Sequence, residues 1–187
     1  MCEGCAGGGL RPQRDDSPVR GVPTCATLAA MVLSNVLYAA NVVYTSVLSG
    51  FMISYVVTFG AFFDHTLSHG RRRELQDLLL PFNRDERVSL RYAAWVLGQV
   101  LVALASLVAN AGRLPLAAQV LAVAVMPLWY LVHVASGFAR DEHLAEGGPD
   151  DVPEQVVDRF VRRNRPFHSG YAVAYLVTAG WLLAGVL

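Results

Sequence analysis

The sequence NVVYTSVLSGFMISYVVTFGAFFDHTLSH, from Asn41 to His69, is the stretch that decides the fold. It begins as a long apolar run and ends in Asp64, His65 and His69, and three arginines follow. An apolar helix of about 20 residues crosses the hydrocarbon core of a bilayer, which is roughly 30 Å thick. The stretch therefore predicts a membrane-spanning helix that ends at a charged membrane surface.

The uncharged run around this stretch is longer than one crossing needs. No charged residue occurs from Cys25 to Phe63, and this segment would be about 58 Å long as a helix. We predict one span at about 44–64, preceded by a long N-terminal helix extension. The alternative is two short helices that meet in a turn, which would give five spans in place of four.

Three further apolar runs predict three more spans. They cover residues 92–112, 116–139 and 167–187. Pro127 lies inside the second of these runs and is expected to kink the helix, because proline lacks the amide hydrogen that a helix needs. The predicted fold class is therefore all-α, an integral membrane four-helix bundle.

Two amphipathic segments lie between the spans. Residues 71–86 mix leucines with arginines and acids, which is typical of a short helix in the headgroup zone that stops at Pro81. Residues 153–163 place valines and Phe160 on one helical face within a polar loop at 140–166. We predict a short interfacial helix in each segment.

Composition narrows the class of partner. Of 187 residues, 54% are hydrophobic and 16% charged, whereas soluble domains carry about 25% charged residues. The formal net charge is zero, so nothing indicates a nucleic acid partner. The expected partners are the lipid bilayer and either a second copy of the chain or another membrane protein. No Walker loop, dinucleotide fingerprint or HExxH motif occurs, and no cofactor is predicted.

The arginines predict the orientation. With four spans, the loops 64–91 and 139–166 share one side and hold eleven arginines, whereas the loop opposite holds only Arg113. Arginine-rich loops stay cytosolic, so both termini are predicted on the other side, and five spans would move the N-terminus to the cytosol. The arginines expected to contact anionic headgroups are Arg71, Arg72, Arg73, Arg162, Arg163 and Arg165.

The first 24 residues differ from the rest. They are rich in glycine, proline and charge without apolar periodicity, which predicts a disordered tail. The transmembrane domain is predicted at 25–187. Cys2 and Cys5 have the Cys-x-x-Cys spacing of a zinc knuckle, but no second pair of zinc ligands follows nearby. We interpret them as incidental thiols on the tail, with acylation as the alternative.

A layer of polar and aromatic side chains is expected near the cytosolic ends of the spans. His133 is the only ionisable residue well inside a span apart from tyrosines, and such residues are functional candidates. His133 and His168 are the candidate catalytic residues, and a hydrogen-bonded core role is the alternative for His133. The layer is predicted to contain Tyr55, Thr58, Trp129, His133 and Tyr171.

A histidine cluster at the end of the first span is a candidate metal site. His65 and His69 are one helical turn apart, a spacing that can hold a metal ion. His168 opens the last span on the same side of the membrane, and Asp64 would complete the ligand set. The alternative is that these histidines complement the dipole at a helix end.

Small residues along the spans allow close helix approach. Gly180-x-x-x-Ala184 is the clearest small-xxx-small pair. Packing inside the bundle is the simpler explanation, and homodimerisation is the other.

Several short motifs occur in a characteristic order. Leu48-Ser49-Gly50 and Val57-Thr58-Phe59 lie in the first span, Leu79-Leu80-Pro81-Phe82 in the first loop, and Phe167-His168-Ser169-Gly170 opens the last span. In this order and with these loop lengths, the chain resembles the transmembrane protein 205-like family (domain of unknown function 4149) over about residues 46–187. The resemblance implies a four-helix membrane bundle with no established catalytic activity.

A second resemblance concerns the last span. Phe160-Val161-Arg162-Arg163 followed by His168 is similar to the opening of that helix in anthrone oxygenase-like proteins, which also have four spans. It would imply cofactor-free oxygenation of a polycyclic phenol, with His168 or His133 as base. We expect first a non-enzymatic membrane protein that is structural or binds a partner or lipid. The second functional hypothesis is such an oxygenase, and the third is a small transporter or a metal-binding membrane protein.

Overall fold

The computed structural model describes residues 24–79, 86–145 and 152–186. Within these ranges every regular element is a helix, which confirms the all-α prediction. The tail predicted at 1–24 lies outside the described residues except for Thr24, and so does Pro81, the predicted end of the first interfacial helix.

The first apolar run forms one uninterrupted helix of 44 residues. Helix α1 covers Cys25–Tyr55, a π-helical turn covers Val56–Gly60, and α2 covers Ala61–Ser68. The hydroxyl of Thr24 caps the start by accepting a hydrogen bond from the amide of Thr27. The five-span alternative needs a turn inside this run and is therefore wrong.

Two more apolar helices follow. Helix α3 is a single turn at Arg72–Glu74 and continues as a π-helical turn, after which α4 covers Glu86–Ala109 and α5 covers Leu116–Ala135. Gly112 lies in the tight connection between α4 and α5 with φ near +80°, a conformation that favours glycine. Together with the 44-residue helix, α4 and α5 make three described helices long and apolar enough to cross a membrane. These lengths indicate an integral membrane protein.

The loop predicted at 140–166 is largely helical. Helix α5 ends four residues before the predicted 139, and Gly137, with φ near +74°, turns the chain into α6 at Phe138–Ala145. Helix α7 then runs from Glu154 to Ala184. The predicted second interfacial helix is therefore the first half of α7 and not a separate element.

Packing explains why Pro166 does not end α7. Val157, Phe160 and Val161 are buried in one apolar cluster. Burying an apolar side chain contributes about 1.5–3 kcal/mol, and a proline inside a helix costs about 3 kcal/mol. Three such side chains offset that cost.

The segment after α3 belongs to the first predicted interfacial helix. Its Leu75 is fully buried in the same apolar cluster, so this segment packs against α7.

The four long helices pack side by side. The helix α1 contacts both α4 and α7, and α5 also contacts both. The short helix α6 packs on α5 and α7.

Gly180 and Ala184 are exposed, and a Cβ added at Gly180 would meet nothing within 4 Å. Packing within the chain therefore does not explain this pair.

Candidate functional site

Two histidines approach each other near the end of α5. His133 lies in the last turn of α5 and His168 in the middle of α7, and both rings contact Phe138 and Phe167. The Nε2 atom of His133 lies 3.2 Å from Oε2 of Glu142 on α6. The structure thus brings together the two predicted catalytic candidates and adds a carboxylate that the sequence analysis missed.

Hydrogen-bond partners fix the tautomers of these rings. A carbonyl oxygen only accepts, so Nδ1 of His168, 2.9 Å from the carbonyl oxygen of Asn164, carries the hydrogen. Nε2 of His133 lies beside the Glu142 carboxylate, which can only accept a hydrogen when ionised, so this contact favours the tautomer with the hydrogen on Nε2. In the neutral rings, Nε2 of His168 and Nδ1 of His133 are left as proton acceptors.

Aromatic rings enclose this pair. Tyr55 packs on His168 with ring centroids 4.4 Å apart, and its hydroxyl accepts a hydrogen bond from the amide of Asn164. Trp129 stacks on Tyr171 at 5.6 Å, and its indole Nε1 is buried without a protein partner. A buried donor of this kind normally has a partner, so this indole nitrogen is an exception in the aromatic layer.

Thr58 does not belong to the predicted polar layer. Its side chain is exposed, and its hydroxyl donates to the carbonyl of Ser54 at 2.6 Å. The cause is the π-helical turn, in which hydrogen bonds run from i to i+5. Residues three apart, such as Tyr55 and Thr58, therefore no longer share a face. The other four members, Tyr55, Trp129, His133 and Tyr171, lie at the same end of the long helices as His168.

The predicted metal ligands do not meet. The rings of His65 and His69 lie 4.1 Å apart, but Nδ1 of His69 contacts the carbonyl oxygen of His65 at 2.8 Å. Asp64 accepts a hydrogen bond from Arg165 at 2.7 Å, and His168 packs against Tyr55 instead. Among residues 24–79, 86–145 and 152–186, no group of three or more His, Cys, Asp or Glu could hold a metal ion.

Ion pairs tie the short helices to α7. Arg72 donates two hydrogen bonds to Asp158, one of them 2.8 Å long between Nη2 and Oδ2. These bonds hold the pKa of the Asp158 carboxyl below its ordinary value. On α6, the Asp141 side chain is only 8% exposed and accepts from Arg159 at 2.9 Å and Arg163 at 2.7 Å.

These pairs change the role expected of several arginines. An arginine held by a carboxylate has fewer donors left for a lipid phosphate, because its five N–H groups are shared. Arg162, in contrast, is exposed on α7. The predicted headgroup arginines that pair with carboxylates are Arg71, Arg72, Arg163 and Arg165.

A chain of buried polar side chains runs between the four long helices. The Gln99 amide donates to Thr45 and to the carbonyl of Ala122, both at 3.2 Å. Its oxygen accepts from Tyr175 at 3.5 Å, and Thr45 donates to Asn41 at 3.3 Å. Four of the five residues contribute polar side chains, and Ala122 contributes its backbone carbonyl. All five are 0% exposed.

A second polar group lies nearer the α4–α5 turn. Ser106 donates to Gln119 at 3.3 Å, and the Asn110 amide donates to the carbonyl of Ser34 at 2.9 Å. Arg113 also donates to the hydroxyl of Ser34. The sequence signal for both groups was polar residues four or seven positions apart within apolar runs, which the sequence analysis did not use.

Comparison with known proteins adds no relative: no family model, no curated protein and no solved structure matches the chain. The two family resemblances therefore stay predictions, and function is argued from the chain's own geometry.

Proposed function

We propose that this protein is a multi-pass integral membrane protein that crosses the bilayer four times and acts by binding a partner or lipid. One observation carries the proposal: the long helices expose large apolar side chains while they bury polar ones. Leu101 and Val108 are 67% and 72% exposed, whereas Gln99 and Gln119 are fully buried. A soluble protein gains stability from the opposite arrangement, but lipid accepts an apolar exterior.

The fourth span is supported by packing. Residues 167–187 contain no Asp, Glu, Lys or Arg. The helix α7, to which most of them belong, contacts α1 and α5. If α1, α4 and α5 cross the bilayer, this half of α7 crosses beside them. The chain then alternates direction, as in bundles whose neighbours are joined by short connections.

The arginine-rich end is proposed to face the cytosol. The connections 64–91 and 139–166 join the helices at one end, and Arg113 lies at the other. Positive residues near spans are retained in the cytosol. An exposed arginine beside anionic lipid contributes about 1 kcal/mol, and Arg162 is one of the predicted headgroup arginines whose side chain is exposed.

Topology is tested by cysteine accessibility. The native cysteines are replaced by serine, and single cysteines are introduced as Ser68→Cys, Arg162→Cys and Ala111→Cys, all at exposed positions. A membrane-impermeant reagent should label Ser68→Cys and Arg162→Cys from the same face and Ala111→Cys from the other. Labelling of the first two from opposite faces, or release of the protein by alkaline carbonate, would contradict four spans.

Lipid binding needs its own measurement. Native mass spectrometry of the detergent-solubilised protein should show an anionic lipid retained over a neutral one. Arg162→Gln should reduce that retention, whereas the matched change Arg113→Gln at the opposite end should not. Equal retention of both lipids by the unaltered protein would remove the lipid-binding part of the proposal.

A second candidate function is catalysis or ligand binding at the histidine pair. The observation that favours it is the 3.2 Å contact of His133 with Glu142, because a carboxylate that orients an imidazole is the usual support of a general base. A planar phenol bound there would lie near Trp129. With Trp95 and Trp181 replaced by phenylalanine, such a phenol should quench the remaining fluorescence, and His168→Ala should abolish the effect.

A further inference from the structure

The start of α1 reaches beyond the turn that joins α4 to α5. Asn110, which follows α4, donates to the carbonyl of Ser34, and Arg113 in the α4–α5 turn donates to the hydroxyl of the same serine. The α4–α5 turn therefore lies level with Ser34. Helix α1 begins nine residues earlier, at Cys25, so about 13 Å of it extends past the turn. We call residues 25–33 the projecting segment.

The projecting segment is apolar on almost every side. All of its residues are exposed, and none is charged. Its large side chains are between 43% and 62% exposed, and they are Leu28, Met31, Val32 and Leu33. A helix that lies on a membrane surface keeps a strongly polar face toward water, whereas this segment offers only Thr27 and Cys25. An exposed apolar surface of this kind marks a site of interaction.

The hydrocarbon core ends before the projecting segment. In the four-span arrangement α1 rises about 31 Å from Ser34 to Tyr55, which matches the roughly 30 Å of the hydrocarbon core. Arg113 lies at one end of this layer, and Arg165 lies beside Gly60 at the other. A guanidinium inside hydrocarbon is costly, so these arginines mark where the lipid tails end. The segment therefore stands outside the tails, on the non-cytosolic side.

Two lines of residues with the same seven-residue repeat run along opposite sides of α1. The inner line packs into the bundle and is Ser34, Tyr38, Asn41, Thr45, Leu48 and Met52. The outer line is exposed throughout and is Val32, Val36, Ala39, Val43, Ser46 and Gly50. At 3.6 residues per turn the two lines lie about 180° apart. Ala29 and Cys25 continue the outer line to the start of the helix.

The outer line indicates what covers it. A seven-residue repeat kept from Cys25 to Gly50 is typical of a helix that packs along another helix. The occupant also has to be as apolar as the projecting segment and to end at the same height. A second copy of the chain in the same orientation meets both conditions, because its own residues 25–33 stand at that height. Neither outer line carries a charge that would repel the other.

We propose that two copies of this chain pair in parallel through the outer lines of their α1 helices, so that the two projecting segments cover each other outside the lipid. A two-fold axis along the membrane normal relates the copies, as in most homodimers. The pair supplies the partner of the proposed function. The inference rests on the four-span proposal, because that arrangement places the projecting segments of both copies on one side of the membrane.

The pairing brings the two Cys25 side chains together. Packed helix axes lie 8–10 Å apart, and each Cα atom lies about 2.3 Å from its axis. Facing Cα atoms are then roughly 4–6 Å apart, a separation that a disulfide can span. Ala30 lies about 140° around the helix from Cys25, so residue 30 of one copy points away from the other.

The first test is cross-linking in the membranes of the cells that produce the full-length protein. Cys2→Ser and Cys5→Ser leave Cys25 as the only cysteine. Copper phenanthroline, which takes two electrons from a pair of thiols as they lose two protons, should convert most of this protein to a disulfide-linked dimer. The matched control adds Cys25→Ser and Ala30→Cys and should stay monomeric. Equal yields from both would mean random collision and would overturn the pairing.

The second test counts the copies in vesicles at low protein-to-lipid ratio by stepwise photobleaching of a single fluorophore on each chain. The unaltered protein should bleach in two steps, and Ala39→Trp, which places a large ring on the outer line, in one. Ala105→Trp is the matched control. Ala105 is also exposed, and the bonds from Gln99 to Thr45 and from Asn110 to Ser34 place it at the depth of Ala39 on α4. It should keep two steps.

A variant in the projecting segment guards against misfolding. Val32 is 62% exposed, so Val32→Glu removes little packing within the chain, and its melting temperature should equal that of the unaltered protein. It should still bleach in one step, because the charge would be buried between the two segments. Two steps from both Ala39→Trp and Val32→Glu would overturn the pairing through α1. So would two steps that only Gly180→Trp reduces to one, since that result assigns the contact to α7.

The failures of the two proposals are distinguishable. Unaltered protein that resists alkaline carbonate yet bleaches in one step would overturn the pairing and leave the four spans intact. Protein that carbonate releases from the membrane would overturn both.

Discussion

Arg72 and Asp158 form a two-point ion pair that joins the segment after the first membrane helix to the first turns of α7. The two side chains are only 33% and 23% exposed, and Glu154 adds a longer contact of 3.6 Å to the same arginine. Two parallel N–H···O bonds fix the orientation of a guanidinium as well as its distance. This pair therefore helps to set how the first turns of α7 sit against the segment that follows α2.

Asp158→Asn should lower the stability of the fold. The change removes the charge that Arg72 binds, and we expect a loss of about 1 kcal/mol in the free energy of unfolding, discounted for partial exposure. The melting temperature of the detergent-solubilised protein at pH 7 measures it. The control is Glu74→Gln, because the pair between Glu74 and Arg71 is exposed and local. That change should leave the melting temperature nearly unaltered.

The contribution of Asp158 should depend on pH in a defined direction. Its pKa is lower in the folded protein than in the unfolded chain because Arg72 bonds the ionised form. Such a group stabilises the fold above its unfolded pKa and loses that contribution as pH falls through the folded pKa. The stability difference between the unaltered protein and Asp158→Asn should therefore shrink on acidification. A difference that stays constant down to pH 3 would contradict this.

Part of the fold could be predicted because membrane helices need only continuous apolar sequence. The helix from Cys25 to Ser68 and the helices α4 and α5 follow directly from their apolar runs. The length of α7 could not be predicted this way. Pro166 and the charged residues before it indicate a boundary, and only the burial of Phe160 against Phe63 and Phe138 shows why the helix continues.

The candidate site was predictable in its members and not in their contacts. His133, His168 and Trp129 stood out as polar or aromatic residues near span ends. The partner of His133 did not, because Glu142 lies in a segment whose polar sequence indicates a loop. The exclusion of Thr58 depends on a π-helical turn, which has no sequence signal in this chain.

Gly170→Ala should destabilise the aromatic layer. A Cβ at this position would lie 2.6 Å from the Cη2 atom of Trp129, whose ring is stacked on Tyr171 and so has little room to move. Overpacking of this kind costs about 1–3 kcal/mol. Gly180→Ala is the matched control in the same helix, since its Cβ would meet nothing within 4 Å. Thermal unfolding should separate the two variants, with Gly180→Ala unchanged or slightly more stable.

Phe138→Ala should be among the most damaging single changes in the described part of the chain. The ring is 1% exposed and is stacked between Phe160 at 5.6 Å and Phe167 at 4.6 Å. Removing a buried phenylalanine costs about 3–5 kcal/mol. Phe62→Ala is the control, because that ring is 44% exposed. The two variants are compared by melting temperature in the same detergent. Equal losses for both would mean that the aromatic cluster at this end does not hold α6 against α7.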